Sequence, residues 1–194
     1  MWRGVRRLAG AVATLATVAA SAGAQQMWSL AFGPEVAGAS GGGFGQITLV
    51  GTSMRFQATW SGLSGTTTVA HVHCCTPAPR TGTAGVATMV PSFAGFPTGV
   101  MAGAYDATFD MSLPGSWNPA FVTASGGTTA QALATLVDGL NGGTAYFNIH
   151  TSTFPGGEIR AFATVVPEPA TYALVGGGLL VLGALRARRR GAAV

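Results

Sequence analysis

Lysine is absent from the chain, and charge of either sign is scarce: 8% of its 194 residues are charged. Seven of the ten arginines stand at the two ends, as Arg3, Arg6 and Arg7 and as Arg186, Arg188, Arg189 and Arg190. Between Gln25 and Val166, three arginines (Arg55, Arg80, Arg160) minus five carboxylates (Glu35, Asp106, Asp110, Asp138, Glu158) gives −2. The basic character of the whole chain therefore gives no sign of nucleic-acid binding. Long hydrophobic runs are missing too. The apolar stretches Leu8 to Ala20 and Ala173 to Leu185 both fall short of the roughly 20 residues of a comfortable spanning helix. No Gly-x-Ser-x-Gly elbow is present, and no acid stands out as partner to a histidine, which removes the usual nucleophilic triad. Gly41-Gly42-Gly43-Phe44-Gly45-Gln46 lacks the Lys-Ser/Thr ending of a phosphate loop. Asp106 and Asp110 share one face of a strand, but a solvated edge is expected there rather than a glycosidase pair. No enzyme activity is expected.

The two ends are addresses. Three arginines, a short apolar run and Ala22-Gly23-Ala24 have the three-part layout of a secretory signal helix, residues 1–24, cut by signal peptidase after Ala24. Arg6-Arg7 is a twin arginine without the surrounding features, so the general secretion route is expected. At the other end, Pro167-Glu168-Pro169, an apolar helix and the cluster Arg186, Arg188, Arg189, Arg190 follow in order over residues 167–190. Arginines this dense stay cytoplasmic, with the preceding domain outside the inner membrane. The segment resembles the PEP-CTERM sorting signal of Gram-negative bacteria. That resemblance implies a C-terminal transmembrane helix, held transiently in the inner membrane with the domain facing the periplasm. An exosortase then cleaves near the tripeptide and passes the chain to the cell surface or the exopolysaccharide matrix.

Residues 25–166 are rich in Gly, Thr, Ser and Ala, with short apolar runs between turn residues, the texture of an all-β sandwich or barrel. Strands are expected at Trp28 to Phe32, Gln46 to Val50, Met54 to Trp60, Thr68 to His73, Ala84 to Val90, Ala104 to Met111, Ala145 to His150 and Glu158 to Val165. Gly33 to Gly45 reads as a loose loop. One helix, about Thr129 to Asp138, is expected, capped by Thr128 with Gln131 and closed by Gly139.

All three histidines of the chain sit on two of these strands. Ala70-His71-Val72-His73-Cys74-Cys75 places His71, His73 and Cys75 on one side and Ala70 and Val72 inward. In Ala145 to Val165, Phe147 and Ile149 alternate with Tyr146, Asn148 and His150, and Ile159, Ala161 and Ala163 alternate with Glu158 and Arg160. A hairpin follows, with His150, Glu158 and Arg160 opposite the core. The Ala-His-Val-His run after Trp60 to Gly65, and the closing run Ala145 to Ala161, are similar to the two signatures of the CHRD domain, with the likeness extending from about Trp28 to Val165. It implies a β-sandwich of immunoglobulin or superoxide dismutase type, extracellular, with no settled activity. The matching motif residues are His71, His73, Asn148, His150, Gly157, Glu158 and Arg160. Cys74-Cys75 replaces the commoner glycine.

Two chemistries stay open for the histidines. They can bond to backbone, Asn148 or Glu158 and fasten the end of the sandwich. Alternatively, His71, His73 and His150 can hold copper or zinc, with Cys75 as a possible thiolate donor. The vicinal cysteines have no other cysteine to pair with and lie in an exported chain. A Cys74-Cys75 ring is the first expectation, against pairing with another molecule or two free thiols. The sequence thus reads as an exported binding or structural module of the envelope or exopolysaccharide, with surface polysaccharide or proteins as partners. The alternative is an envelope metal-binding protein.

Overall fold

Period-two alternation dominates the chain, and the computed structural model, which describes residues 25–167, 176–182 and 186, turns it into antiparallel sheet. The strands are β1 (Gln26–Pro34), β2 (Gly42–Val50), β3 (Ser53–Ser61), β4 (Thr67–His73), β5 (Gly103–Asp110), β6 (Tyr146–Thr151), β7 (Ile159–Phe162) and β8 (Thr164–Val165). They follow one another in the order β4-β6-β7-β1-β2-β3-β5, with β8 also on β1. β1 is the corner of this curled sheet. Its first seven residues pair with β2, while Gly33 and Pro34 pair with Arg160 and Ile159 of β7. The result is the all-β sandwich expected from the sequence.

Inward residues of both walls meet in a single apolar core that includes Trp28, Leu30, Ile47, Phe56, Phe147, Ile149 and Ile159. Phe147 of β6 stands edge-on to Phe32 of β1 at 5.4 Å and to Phe56 of β3 at 6.5 Å between ring centroids. These contacts fix which face of β4, β6 and β7 is inner. The opposite face receives His71 and His73 of β4, Tyr146, Asn148 and His150 of β6, and Arg160 of β7.

Four sequence expectations are revised. The expected strand Ala84 to Val90 is part of a long connection between β4 and β5, with single bridges His73 to Val86 and Thr88 to Trp117. It runs along the edge of β4, but side-chain hydroxyls replace part of a ladder: Val72 N donates to Thr88 Oγ1 and Ala70 N to Ser92 Oγ, both at 3.0 Å. Gly33 to Gly45 is mostly strand, because β1 extends to Pro34 and β2 begins at Gly42. Helix α2 (Thr129–Gly142) passes the expected end at Gly139 and closes at Gly143, which is left-handed with φ 66°. Its start is as read: Thr128 Oγ1 accepts from Gln131 N. A second helix, α1 (Pro119–Ala124), precedes it, capped by Asn118 with Pro119 in the first turn.

The signal segment 1–24 with its cut site Ala24, and Glu168, Pro169, Arg188, Arg189 and Arg190 of the sorting segment, lie outside the described residues. Residues 176–182 are helical and exposed. Among the described residues no helix is long and apolar enough to cross a membrane.

Candidate metal centre

Pairing of β4 with β6 sets His71 opposite Asn148 and His73 opposite Tyr146, and β6 carries His150 two residues beyond Asn148. Directly opposed pairs place their Cβ atoms about 4.5–5.5 Å apart on one face, so the three imidazoles are brought together by register alone. Ring centroids are 5.3 Å apart for His71 and His150, 5.7 Å for His71 and His73, and 6.1 Å for His73 and His150. This face is not open to solvent as the alternation suggests. The connection after β4 folds over it and leaves His71 and His73 buried and His150 half-buried.

Each ring is held from outside by one backbone carbonyl. His71 Nε2 bonds Pro91 O at 2.6 Å, His73 Nδ1 bonds Ala84 O at 2.9 Å and His150 Nδ1 bonds Pro155 O at 2.7 Å. A carbonyl only accepts, so in the neutral ring each of these nitrogens carries the hydrogen and the other carries the lone pair. Those other nitrogens, His71 Nδ1, His73 Nε2 and His150 Nε2, are buried and without a hydrogen-bond partner among the described residues. One ring nitrogen from each histidine lies within 4.8 Å of the others. Zinc–imidazole bonds of about 2.0–2.1 Å in tetrahedral array set nitrogens roughly 3.4 Å apart. An inward movement of less than about 1 Å by each ring closes the site around an ion.

Electrostatics favour the neutral, ligating form. Burial lowers the pKa of His71, against the opposing pull of Pro91 O, and lowers that of His73 to about 4, against the pull of Ala84 O. His73 also lies flat on Tyr146, 4.9 Å between centroids and 4° between planes. The Tyr146 hydroxyl accepts from Ala84 N, fixing the same residue that holds His73.

Beside the histidines lies a buried polar network that the sequence did not single out as a unit. Asn148 Nδ2 donates to Glu35 Oε2. Arg160 Nη1 stands 3.6 Å from Glu35 Oε1 and donates to Gly82 O at 2.7 Å. Burial raises the Glu35 pKa, opposed by Arg160 and by the Asn148 bond. Gly157, with φ 128°, lies so close to Asn148 Nδ2 and Glu35 Oε2 that a Cβ there would strike both, which accounts for a glycine at this motif position. Glu35 had no signal of its own; only its closeness to Arg160 across the β1–β7 pair reveals it.

Glu158 is not on the histidine face. Its carboxylate is fully buried on the other side of the hairpin turn, accepting from Ser64 N and Oγ at 2.6 Å, Gly65 N at 3.2 Å and Thr151 Oγ1 at 2.7 Å. These donors lower its pKa against the desolvation that raises it. Glu158 ties the β3–β4 turn to β6 and touches no histidine. Cys75 is likewise no ligand: its sulfur is bonded to that of Cys74, and both turn to helix α2 near Thr135 O. Asp106 makes an exposed pair with Arg55.

The comparisons with known proteins agree with the fold and with the C-terminal end. The CHRD domain matches residues 17–162, and the PEP-CTERM protein-sorting motif matches residues 165–190. No curated protein and no solved structure matches. The sorting motif marks the chain for exosortase processing and for export to the envelope or cell surface. With three quarters of its length inside the match, the chain belongs to the CHRD-domain family.

Proposed function

We propose that this exported domain is a metal-binding, non-catalytic module of the cell surface or exopolysaccharide layer, holding one copper or zinc ion through His71, His73 and His150. The observation that carries the proposal is a cluster of three histidines, one ring nitrogen of each within 4.8 Å of the others, with one nitrogen of every ring committed to a carbonyl and the other buried without a partner among the described residues. Outward anchoring by a second shell of carbonyls is the arrangement that orients metal-ligating histidines. The alternative, histidines that fasten the sandwich, explains the three outer bonds and gives the three inner acceptors no partner among the described residues. Imidazole donors suit copper and zinc.

Metal content decides the matter. Full-length protein exported to a periplasm and purified without chelator is expected to carry about one equivalent of copper or zinc per chain. A His71→Ala, His73→Ala double variant is expected to carry almost none. Less than about one-tenth of an equivalent in the unaltered protein, after loading with either metal, overturns the proposal.

A further inference from the structure

The histidine face contains a fourth unsatisfied acceptor. Asn148 is 1% exposed, and its Oδ1 has no hydrogen-bond partner. Asn148 is the register partner of His71 on β4 and of Arg160 on β7, and it shares its face of β6 with His150. The amide is not free to choose its orientation. Nδ2 donates to Glu35, which lies on the β7 side, paired to Arg160. A carboxylate there repels the amide oxygen, so Oδ1 is expected on the side away from Glu35, toward β4 and its register partner His71.

Four acceptors thus share one covered patch: His71 Nδ1, His73 Nε2, His150 Nε2 and Asn148 Oδ1. No described residue supplies a donor to any of them. A water molecule brings two hydrogens and can serve two acceptors, whereas one cation serves all four. Without a cation, the set takes at least two ordered waters inside a covered patch.

We infer that Asn148 Oδ1 is a fourth donor to the metal, completing a closed shell of three imidazole nitrogens and one amide oxygen, and that Glu35 and Arg160 are positioning residues for it. The inference rests on the three-histidine reading and gives it a definite character. Four protein donors without an open position make a structural centre rather than a catalytic one, with zinc as the fitting ion. Copper(I), which favours soft ligands, gains nothing from a hard amide oxygen. The oxygen also explains why a carboxylate, Glu35, is buried beside a cluster of neutral rings: it fixes the amide by accepting from its other end.

Cobalt(II) reports the shell directly. The full-length protein is loaded with Co2+, its visible d–d absorption is recorded, and azide is added as a small external ligand. The unaltered protein is expected to show an intense tetrahedral band that azide does not move. Asn148→Ala opens a coordination position: azide is expected to shift its band, and its zinc affinity is expected to fall at least about tenfold. Glu35→Ala frees the amide to turn and is expected to behave like Asn148→Ala, while Glu35→Gln, which can still accept from Nδ2, keeps the closed spectrum. If azide shifts the band of the unaltered protein, or if Asn148→Ala leaves spectrum and affinity unchanged, the fourth donor is overturned and the three-histidine site stands. A protein that takes up no metal at all overturns both. Should a variant fail to fold, the azide response of the unaltered protein still decides.

Discussion

His73 shows how a single residue is committed to one protonation state. It is buried against Tyr146, its Nδ1–H is spent on Ala84 O, and Arg160 lies near enough to oppose a second positive charge. Burial is the leading cause of a pKa lowered from 6.5 to about 4. In the metal-free protein this couples folding to pH. The unfolded chain takes up the proton below about pH 6.5, and the folded chain resists until about pH 4. Stability is therefore whole above pH 6.5, falls as pH drops from about 6.5 to about 4, and levels off below. For His73 alone the loss is on the order of 3 kcal/mol. Chemical denaturation of the apo-protein across pH 7 to pH 4 is expected to show this slope, and His73→Phe, which keeps the flat packing on Tyr146, is expected to flatten it. An unchanged slope in His73→Phe would assign the dependence to other groups. Glu158 has the opposite design, a carboxylate that four donors keep ionised away from the histidine cluster.

At the scale of elements, helix α2 is seated on the cysteine pair. An alanine Cβ at Gly139 would lie 2.5 Å from Cys74 Sγ and 2.7 Å from Cys75 Sγ, so the helix approaches the bonded sulfurs as closely as a glycine permits. Gly139→Ala is expected to push α2 off this seat at a cost of about 1–3 kcal/mol, read as a lowered midpoint of denaturation with metal stoichiometry retained, because the histidine rings are held by Pro91, Ala84 and Pro155, none of which belongs to α2. The sequence placed this helix correctly by its Thr128 cap and apolar spacing, yet read Gly139 as its end. A glycine that permits close packing and a glycine that ends a helix look alike until the partner is known. The same limit explains Ala84 to Val90. Its alternation is that of a strand, but whether β4 pairs with its backbone or with the hydroxyls of Thr88 and Ser92 depends on a long-range fit. Legible were the strands whose inner residues build the core, and the three histidines as a group. Illegible was what covers them: Pro91, Ala84 and Pro155 act through backbone carbonyls, which no side-chain pattern encodes, and Glu35 reaches Asn148 only because β1 turns the corner between the two walls.

For the whole molecule, the division between fold and address is sharp. The last strand pairing closes with Val166 N donating to Met27 O at 2.9 Å, and the matched sorting motif runs from residue 165 to 190. Pro167-Glu168-Pro169 therefore begins one residue after the sandwich ends, and cutting near the tripeptide leaves every described strand intact. It also removes Arg186, Arg188, Arg189 and Arg190, and residues 25–166 by themselves carry −2. A surface of that charge is not retained by anionic polymers through charge, which assigns any retention in the exopolysaccharide layer to specific contacts. Replacing Glu168 and Pro169 by alanine tests the division in the native host. The variant domain is expected to fold and bind metal as before, since neither residue belongs to the sandwich. It is also expected to stay at its uncut mass in the cell envelope while the unaltered protein appears, shortened at its C-terminus, at the surface or in the matrix. Mass spectrometry of the two fractions reads both arms. A variant that is still shortened and released would show that recognition lies elsewhere in residues 165–190, whereas a variant that no longer folds would show that the sandwich extends past Val166.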